Sequence, residues 1–504
     1  MEREAETLPK GLPPVQYWAV TIAVMSASLI QFLDMTIANV AIPHMQASLN
    51  ASSDTISWVL TSFIVATAVS IPSSGWIAAR FGTRLPFLLA LGGFIISSML
   101  CGVATNLGSM VLFRVLQGIA AAFIAPLAQT ILLDITPSAK HTRALSMWGM
   151  TAMLGPIVGP TLGGYLTDNL SWRWVFFINA PIGIPALLVL WRMLPNTTSA
   201  PRRLDKFGYA ALALALAALQ LLLDRGPAND WFDSVETWIE GIIALLAFTV
   251  FGIHSRYSLH PLFPEKLLQK RVLLAALLGC TLSFSMLGMS ALLPTLLESQ
   301  FGYSVTQVGE VMAPRGIGIF ITMYFIPVFM ERLPVRFILA SGFAITALSL
   351  YGMSGWTTSA PTWLIGTTGF VQGLGMGLLM VPINFIAFSA VSADLRTDCA
   401  VFLNLVRNMA GSIAISCFIL LISNLTQIMH SDLASSLSAI NFNLGPDILR
   451  DVVHGSAPAI ALIDAEVTRQ AAFIAYLDVF YLAFLITLAT IPLCLMVRGK
   501  VHSG

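Results

Sequence analysis

Residues 17–41 read YWAVTIAVMSASLIQFLDMTIANVA, a run that holds one charged side chain, Asp34. A helix needs about 20 apolar residues to cross a bilayer core of about 30 Å, so this stretch reads as a membrane span. A carboxylate inside such a run costs about 2.5–3.5 kcal/mol on insertion scales and persists where it meets a partner or water. Two questions follow: how many such runs the chain holds, and what Asp34 meets.

Over the 504 residues, 57% are hydrophobic and 10% are charged, against about 25% charged in an average soluble domain. Mean hydropathy is +0.82. So few charges cannot cover that much apolar surface, which excludes a soluble enzyme and a disordered scaffold. A net charge of +1 offers no basic field to hold phosphate chains, which excludes a nucleic-acid binder. There is no GxxxxGK[ST] phosphate loop, so the chain is not expected to hydrolyse ATP. The nearest histidine pair, His254 and His260, lacks metal-ligand spacing, and no metal or cofactor is expected. Cys101, Cys280, Cys399, Cys417 and Cys494 form no CxxC pair and read as small apolar packing residues. The N-terminal stretch MEREAETLPKGLPP is polar and lacks the plan of a cleaved signal, so the first run is expected to stay as a span.

Fourteen candidate spans follow: 17–41, 55–77, 86–104, 109–133, 144–166, 174–192, 207–223, 237–255, 272–297, 305–329, 336–355, 362–388, 399–423 and 472–496. Lysine and arginine orient them. With both termini inside, 19 basic residues fall on the cytoplasmic side and 4 on the outer side, while Arg114, Arg315 and Arg407 fall within spans. Such asymmetry is the positive-inside pattern, and one missed span would spoil it. The outer segment 424–471 is the one long loop, and long loops are commonly either functional or solvated connectors.

An internal repeat divides the chain. VLQGIAAAFIAP (115–126) in span 4 and FVQGLGMGLLMVP (370–382) in span 12 each set Gln-Gly before a small-residue run and a proline. That relates span n to span n+8. It predicts an all-α polytopic membrane protein of two six-helix bundles plus two inserted transmembrane helices, the architecture of major facilitator transporters with the substrate site between the halves. The expected segments are a cytoplasmic tail at 1–16, a first bundle at 17–193, an inserted pair at 206–256, and a second bundle at 272–497.

Asp34 and Arg114 both lie about 12–14 Å below the outer surface at 1.5 Å per residue. Matching depth and opposite sign make them a candidate pair. Gln31 shares the face of Asp34, and Gln117 that of Arg114. Burial raises the pKa of an aspartate and a nearby Arg⁺ lowers it, so a cavity that opens to alternate sides can load and release a proton there. The alternative is a static ion pair that fixes helix packing. Glu310, Arg315, Arg407 and Asp478 are weaker intramembrane candidates, for which structural pairing is expected. In span 5, Gly155, Gly159 and Gly163 recur every four residues and predict close helix approach, with Gly164 beside them. Pro156 and Pro160 remove backbone donors and permit bending.

Several motifs carry a family resemblance: LDMTIANVAIP (33–43), GWIAARFGTR (75–84), FRVLQG (113–118), GPIVGPTLGG (155–164), WRWVFFINAPIG (172–183) and LDRGPANDWF (223–232). Together they resemble the fourteen-helix drug:proton antiporters of the major facilitator superfamily, and within them the EmrB-type multidrug efflux transporters of Gram-negative bacteria. Gly75, Arg80, Gly82 and Arg84 match the loop motif after span 2. That motif usually carries an acid where this chain has Ala79, which puts in doubt a charge-based conformational lock at the loop.

The resemblance implies proton-driven export of amphiphilic compounds across the inner membrane. It also implies a periplasmic adaptor and an outer-membrane channel as partners, for which 424–471 and the inserted helices are candidate docking surfaces. A dedicated exporter of one metabolite, such as a siderophore or fatty acid, would carry the same signatures. A non-transporting receptor or scaffold is a third reading, disfavoured by the cost of burying Asp34 and Arg114.

Overall fold

Helix ends are set by ordinary local chemistry. Pro13-Pro14 opens the first helix, Asn106 caps another by accepting from Ser109 N at 2.8 Å, and Ser304 with Gln307 forms a capping box. Gly302, at φ +68°, ends a helix in the left-handed region that glycine enters freely. The structure, a computed structural model, describes residues 12–196, 202–229, 231–436 and 457–497. Among them there is no β-strand.

The long helices are α1 Pro14–Ser48, α2 Trp58–Ser70, α3 Arg84–Gly102, α4 Leu107–Ile135, α5 His141–Asn169, α6 Trp174–Met193, α7 Lys206–Arg225 and α8 Val235–Tyr257. They continue with α9 Lys270–Phe301, α10 Val305–Arg332, α11 Val335–Ser354, α12 Thr362–Phe388, α13 Arg396–Ser436 and α14 Ala457–Leu495. After a 54° bend, α2 runs on as Ser73–Phe81. Among the described residues, 12 helices are long and apolar enough to cross a membrane, and the bent α2 makes 13. The expected span 144–166 lies in α5, whose 29 residues have the length. Its Gly, Pro, Thr and Ser content keeps it less apolar than the rest.

The expected outer loop 424–471 needs correction. It is helical over 424–436 and 457–471, as extensions of α13 and α14, while 437–456 lies outside the described residues, as does 1–11 of the tail. An apolar seam with Leu425, Val467 and Ala471 holds these extensions together, and exposed polar pairs flank it. His430 Nε2 meets Asp464 Oδ1 at 3.0 Å, and Glu466 accepts from Arg469 and Gln470 one turn on.

Helices α1 to α6 pack among themselves, with α1 on α5 and α6 and with α4 against α2 and α3. Helices α9 to α14 do likewise, with α12 against α10 and α11 and with α14 against α11 and α13. The Gln-Gly repeat marks the same close crossing in each group. A Cβ on Gly118 would lie 2.5 Å from the Phe63 carbonyl of α2, and one on Gly373 would overlap the Arg315 carbonyl of α10. Between the inserted helices, His254 of α8 meets Asp205 at the start of α7 at 2.8 Å, and α7 lies against α2 and α13.

The face that carries the N-terminal end of α1 also carries the basic loops, and is called the basic face below. On that side one continuous apolar core joins both groups, from Val20 and Ile131 through Val272 to Ile386 and Leu403. Toward the opposite face the core divides. One cluster holds Leu33, Ile37, Val59, Met110 and Phe176; the other holds Met289, Leu296, Met353, Phe418 and Phe480. The two bundles are therefore knitted together at the basic face and have separate interiors beyond it.

Candidate functional site

Asp34 lies where α1 crosses α4 and α6, and its carboxylate is fully enclosed at 0% exposure. Arg114 Nη1 donates to Asp34 Oδ2 at 2.7 Å. Gln117 Nε2 donates to Oδ1 at 2.9 Å, and Asn179 Nδ2 donates to the same oxygen at 3.1 Å. Arg114 is itself held: Nε donates to the Val59 carbonyl at 3.0 Å, Nη1 reaches Gln117 Oε1 at 2.9 Å, and the guanidinium lies 4.3 Å from the Phe63 ring centroid. Asn179 also donates to Ser98 Oγ at 2.8 Å, and Ser98 donates to the Phe176 carbonyl. Helices α1, α2, α3, α4 and α6 thus each supply a group.

The arrangement has a physical logic. A buried carboxylate is tolerable when its charge is matched and its lone pairs are filled. Here one cation and two amides do both, and charge-assisted bonds are the stronger kind. One carboxylate therefore organises three donors, two from α4 and one from α6. Gln31, on the same face of α1, is buried with Oε1 unpartnered among the described residues.

Asn179 and Ser98 were not singled out from sequence. Asn179 is an uncharged residue where α6 breaks at Ile178, between Trp174–Phe177 and Asn179–Met193. The available signal was an amide within the apolar stretch 174–183, two residues before Pro181.

The glycine row of α5 packs on α1 directly beside Asp34. A Cβ on Gly155 would lie 2.5 Å from the Phe32 carbonyl carbon, one on Gly159 would overlap Thr36 Oγ1, and one on Gly163 would meet Ile37 at 2.9 Å. Thr36 Oγ1 donates to the Gly155 carbonyl at 3.0 Å. Pro156, Pro160 and Gly164 are half-buried on a helix that remains continuous through both prolines. The other side of α5 meets α10: Ile157 faces Gly316, and Ser146 Oγ donates to the Met323 carbonyl.

At the basic face, the bent end of α2 carries the loop motif. Gly75 fits against the Asp398 carboxylate of α13, where a Cβ would overlap it. Arg202 grips Asp398 with both arms at 2.7 and 2.8 Å, and its carbonyl accepts from Trp76 Nε1 at 2.9 Å. Two residues earlier, Arg396 reaches Asp134 at the end of α4 at 3.1 Å. An acid does reach the loop despite Ala79, but it comes from the second bundle. Arg80 stacks near Trp76 and Phe81, Gly82 turns the chain at φ +75°, and Arg84 binds Asn196 Oδ1 at 2.8 Å.

The weaker candidates separate. Glu310 is exposed, at a groove of about 600 Å³ between α10 and α12 beside Trp363 and Phe370. Asp478 is exposed on α14. Neither joins the Asp34 group. Structural pairing was expected for Arg315 and Arg407, yet among the described residues neither forms an ion pair. Arg315 donates to the Met286 carbonyl and faces Met376 sulfur. Arg407 binds only neutral oxygens, at Leu403, Asn384 and Asn404. Among the described residues no acid comes within ion-pair distance of either guanidinium.

Comparison with known proteins supplies the wider frame. A family model described as Major Facilitator Superfamily matches residues 24–415. The chain is 34% identical over 503 residues to the multidrug export protein EmrB of Escherichia coli (strain K12), covering 98% of each. It is 31% identical to the fatty acid resistance protein FarB of Neisseria gonorrhoeae, over 96% of this chain and 97% of that one. Among solved structures, the human organic anion transporter MFSD10 superposes with a TM-score of 0.60 at 15% identity, covering 94% of this chain and 100% of that chain.

Proposed function

The chain belongs to the Major Facilitator Superfamily, and we propose that it exports amphiphilic small molecules, drugs among them, across the bacterial inner membrane in exchange for protons, by alternating access. The observation that carries this reading is the enclosed Asp34 carboxylate, matched by Arg114 and bonded by Gln117 and Asn179. The likeness to multidrug export proteins over almost the whole chain supports it.

In this scheme the basic face is cytoplasmic and both termini lie there. A proton arriving from the opposite side neutralises Asp34 and releases three donors. Helix α1 is then free to shift on the glycine face of α5. Because α5 is also packed on α10, movement at Asp34 passes to the contact between the bundles through touching side chains. Release of the proton to the cytoplasm resets the carboxylate. Each proton supplies about 2.3 kcal/mol per 100 mV and about 1.4 kcal/mol per pH unit. No bound cofactor enters the cycle.

The partners proposed are a periplasmic adaptor and an outer-membrane channel. The length of α13 supports such docking. Its 41 residues give about 62 Å of helix, roughly twice the bilayer core. The surplus of α13 and α14 stands out from the face opposite the basic one.

Everted membrane vesicles energised by respiration test the proposal. Accumulation of several unrelated amphiphilic dyes, abolished by a protonophore, is the expected result. Accumulation of none overturns broad export, and accumulation of one metabolite alone favours a dedicated exporter.

A further inference from the structure

Arg407 lies eleven residues into α13, about 16 Å from the basic face at 1.5 Å per residue, close to the level where the apolar core divides. Its half-buried side chain lies against Gly279 of α9 and Asn384 of α12, beside the polar contact that reaches the first bundle. Asn404, one turn earlier on the same face, donates to Gln129 Oε1 of α4 at 3.2 Å. Gln129 is 0% exposed, and its Nε2 has no partner among the described residues. Asn384 of α12 closes the group by accepting from Arg407 Nη1 at 3.2 Å.

The electrostatics of this group are one-sided. A guanidinium carries five N–H donors. Three are used, at 3.2–3.3 Å and only on neutral oxygens. Two remain, the number a carboxylate takes in a bidentate pair. The Gln129 amide adds an unused donor nearby. The cluster is thus a half-buried cation with spare donors and no ion-pair partner among the described residues, the reverse of the Asp34 group, whose charge is balanced. A fixed positive charge partly withdrawn from solvent favours an occupant that brings the missing negative charge.

We propose that Arg407, with Asn384, Asn404 and Gln129, is the site that recognises an acidic head group on the exported molecule, so that carboxylate-bearing amphiphiles are preferred cargo. This rests on the export reading for its occupant but not on Asp34. The group also links recognition to movement. The Asn404–Gln129 bond is a polar tie between α13 and α4, which belong to different bundles. A carboxylate drawn to Arg407 and Gln129 competes with that tie, and its arrival loosens the bundles where they must part.

Equilibrium binding tests the site without any proton gradient. The probes are 11-(dansylamino)undecanoic acid and its uncharged primary amide, titrated by fluorescence into purified protein in nanodiscs against empty nanodiscs. The wild type is expected to bind the acid about tenfold or more tightly than the amide, the usual size of a charge-assisted contact. Arg407→Gln removes that preference while amide binding is unchanged, and Arg407→Lys keeps part of it. Equal affinity for both probes in the wild type overturns the proposal. So does an equal loss for both in Arg407→Gln, which marks a structural role. Should Arg407→Gln fail to fold, the wild-type comparison stands, and Gln129→Leu is expected to weaken the acid alone; no difference there overturns it. Acid preference without proton-driven transport contradicts the export reading and leaves this site standing. Proton-driven transport without acid preference does the reverse.

Discussion

Arg114 Nη1 lies 2.7 Å from Asp34 Oδ2 across eighty positions of sequence, and neither side chain reaches solvent or lipid. The pair is balanced, so removing one partner is worse than removing both. Asp34→Asn leaves a buried guanidinium without its counter-charge and is expected to cost about 3–5 kcal/mol of stability. Asp34→Asn with Arg114→Gln is expected to recover most of that loss. Thermal unfolding of the purified single and double variants measures it. Simple addition of the two losses contradicts the coupling.

The glycine face of α5 gives a second prediction. A methyl at Gly159 would overlap Thr36 Oγ1, two residues past Asp34. Gly159→Ala is expected to cost about 1–3 kcal/mol as overpacking and to reduce export with it. Gly252 of α8 is the control, since a Cβ there meets nothing within 4 Å. Gly252→Ala is expected to be neutral or slightly stabilising. Equal effects at the two positions contradict close α1–α5 packing as the cause.

At the basic face, Arg202–Asp398 and Arg396–Asp134 join the second bundle to the linker and to the first bundle. Asp398→Asn is expected to open this side more often. Cys399, which is 0% exposed, reports it. In a background with the other four cysteines replaced, maleimide labelling of Cys399 should speed up several-fold in Asp398→Asn. It should slow again when Arg202→Asp is combined with Asp398→Arg. An unchanged labelling rate removes these pairs from the gate.

Sequence made some of this legible and hid the rest for physical reasons. Spans announce themselves because lipid demands long apolar runs, and α5 is the weakest only because glycine and proline dilute it. Asp34 and Arg114 could be matched because a charge in lipid is rare and depth follows from helix rise. Asn179 and Ser98 carry no charge, so only the amide of Asn179 within an apolar stretch near Pro181 set either apart from other polar residues in apolar helices. The Gly155, Gly159 and Gly163 spacing predicted a close neighbour without naming α1. Arg202 and Asp398 are far apart in the chain and lie in polar surroundings, where sequence has no rule for pairing. Helical structure at 424–436 and 457–471 was hidden because its apolar seam, with Leu425, Val467 and Ala471, is narrow and interspersed with charged and polar residues.

The central claim is that Asp34 carries the proton, and proteoliposomes with an imposed pH gradient test it most directly. Wild-type protein is expected to drive a dye uphill with measurable proton counterflow. Asp34→Asn is expected to lose both while still exchanging dye for dye at equilibrium. Uphill accumulation by Asp34→Asn at the wild-type rate, with proton movement intact, contradicts the account.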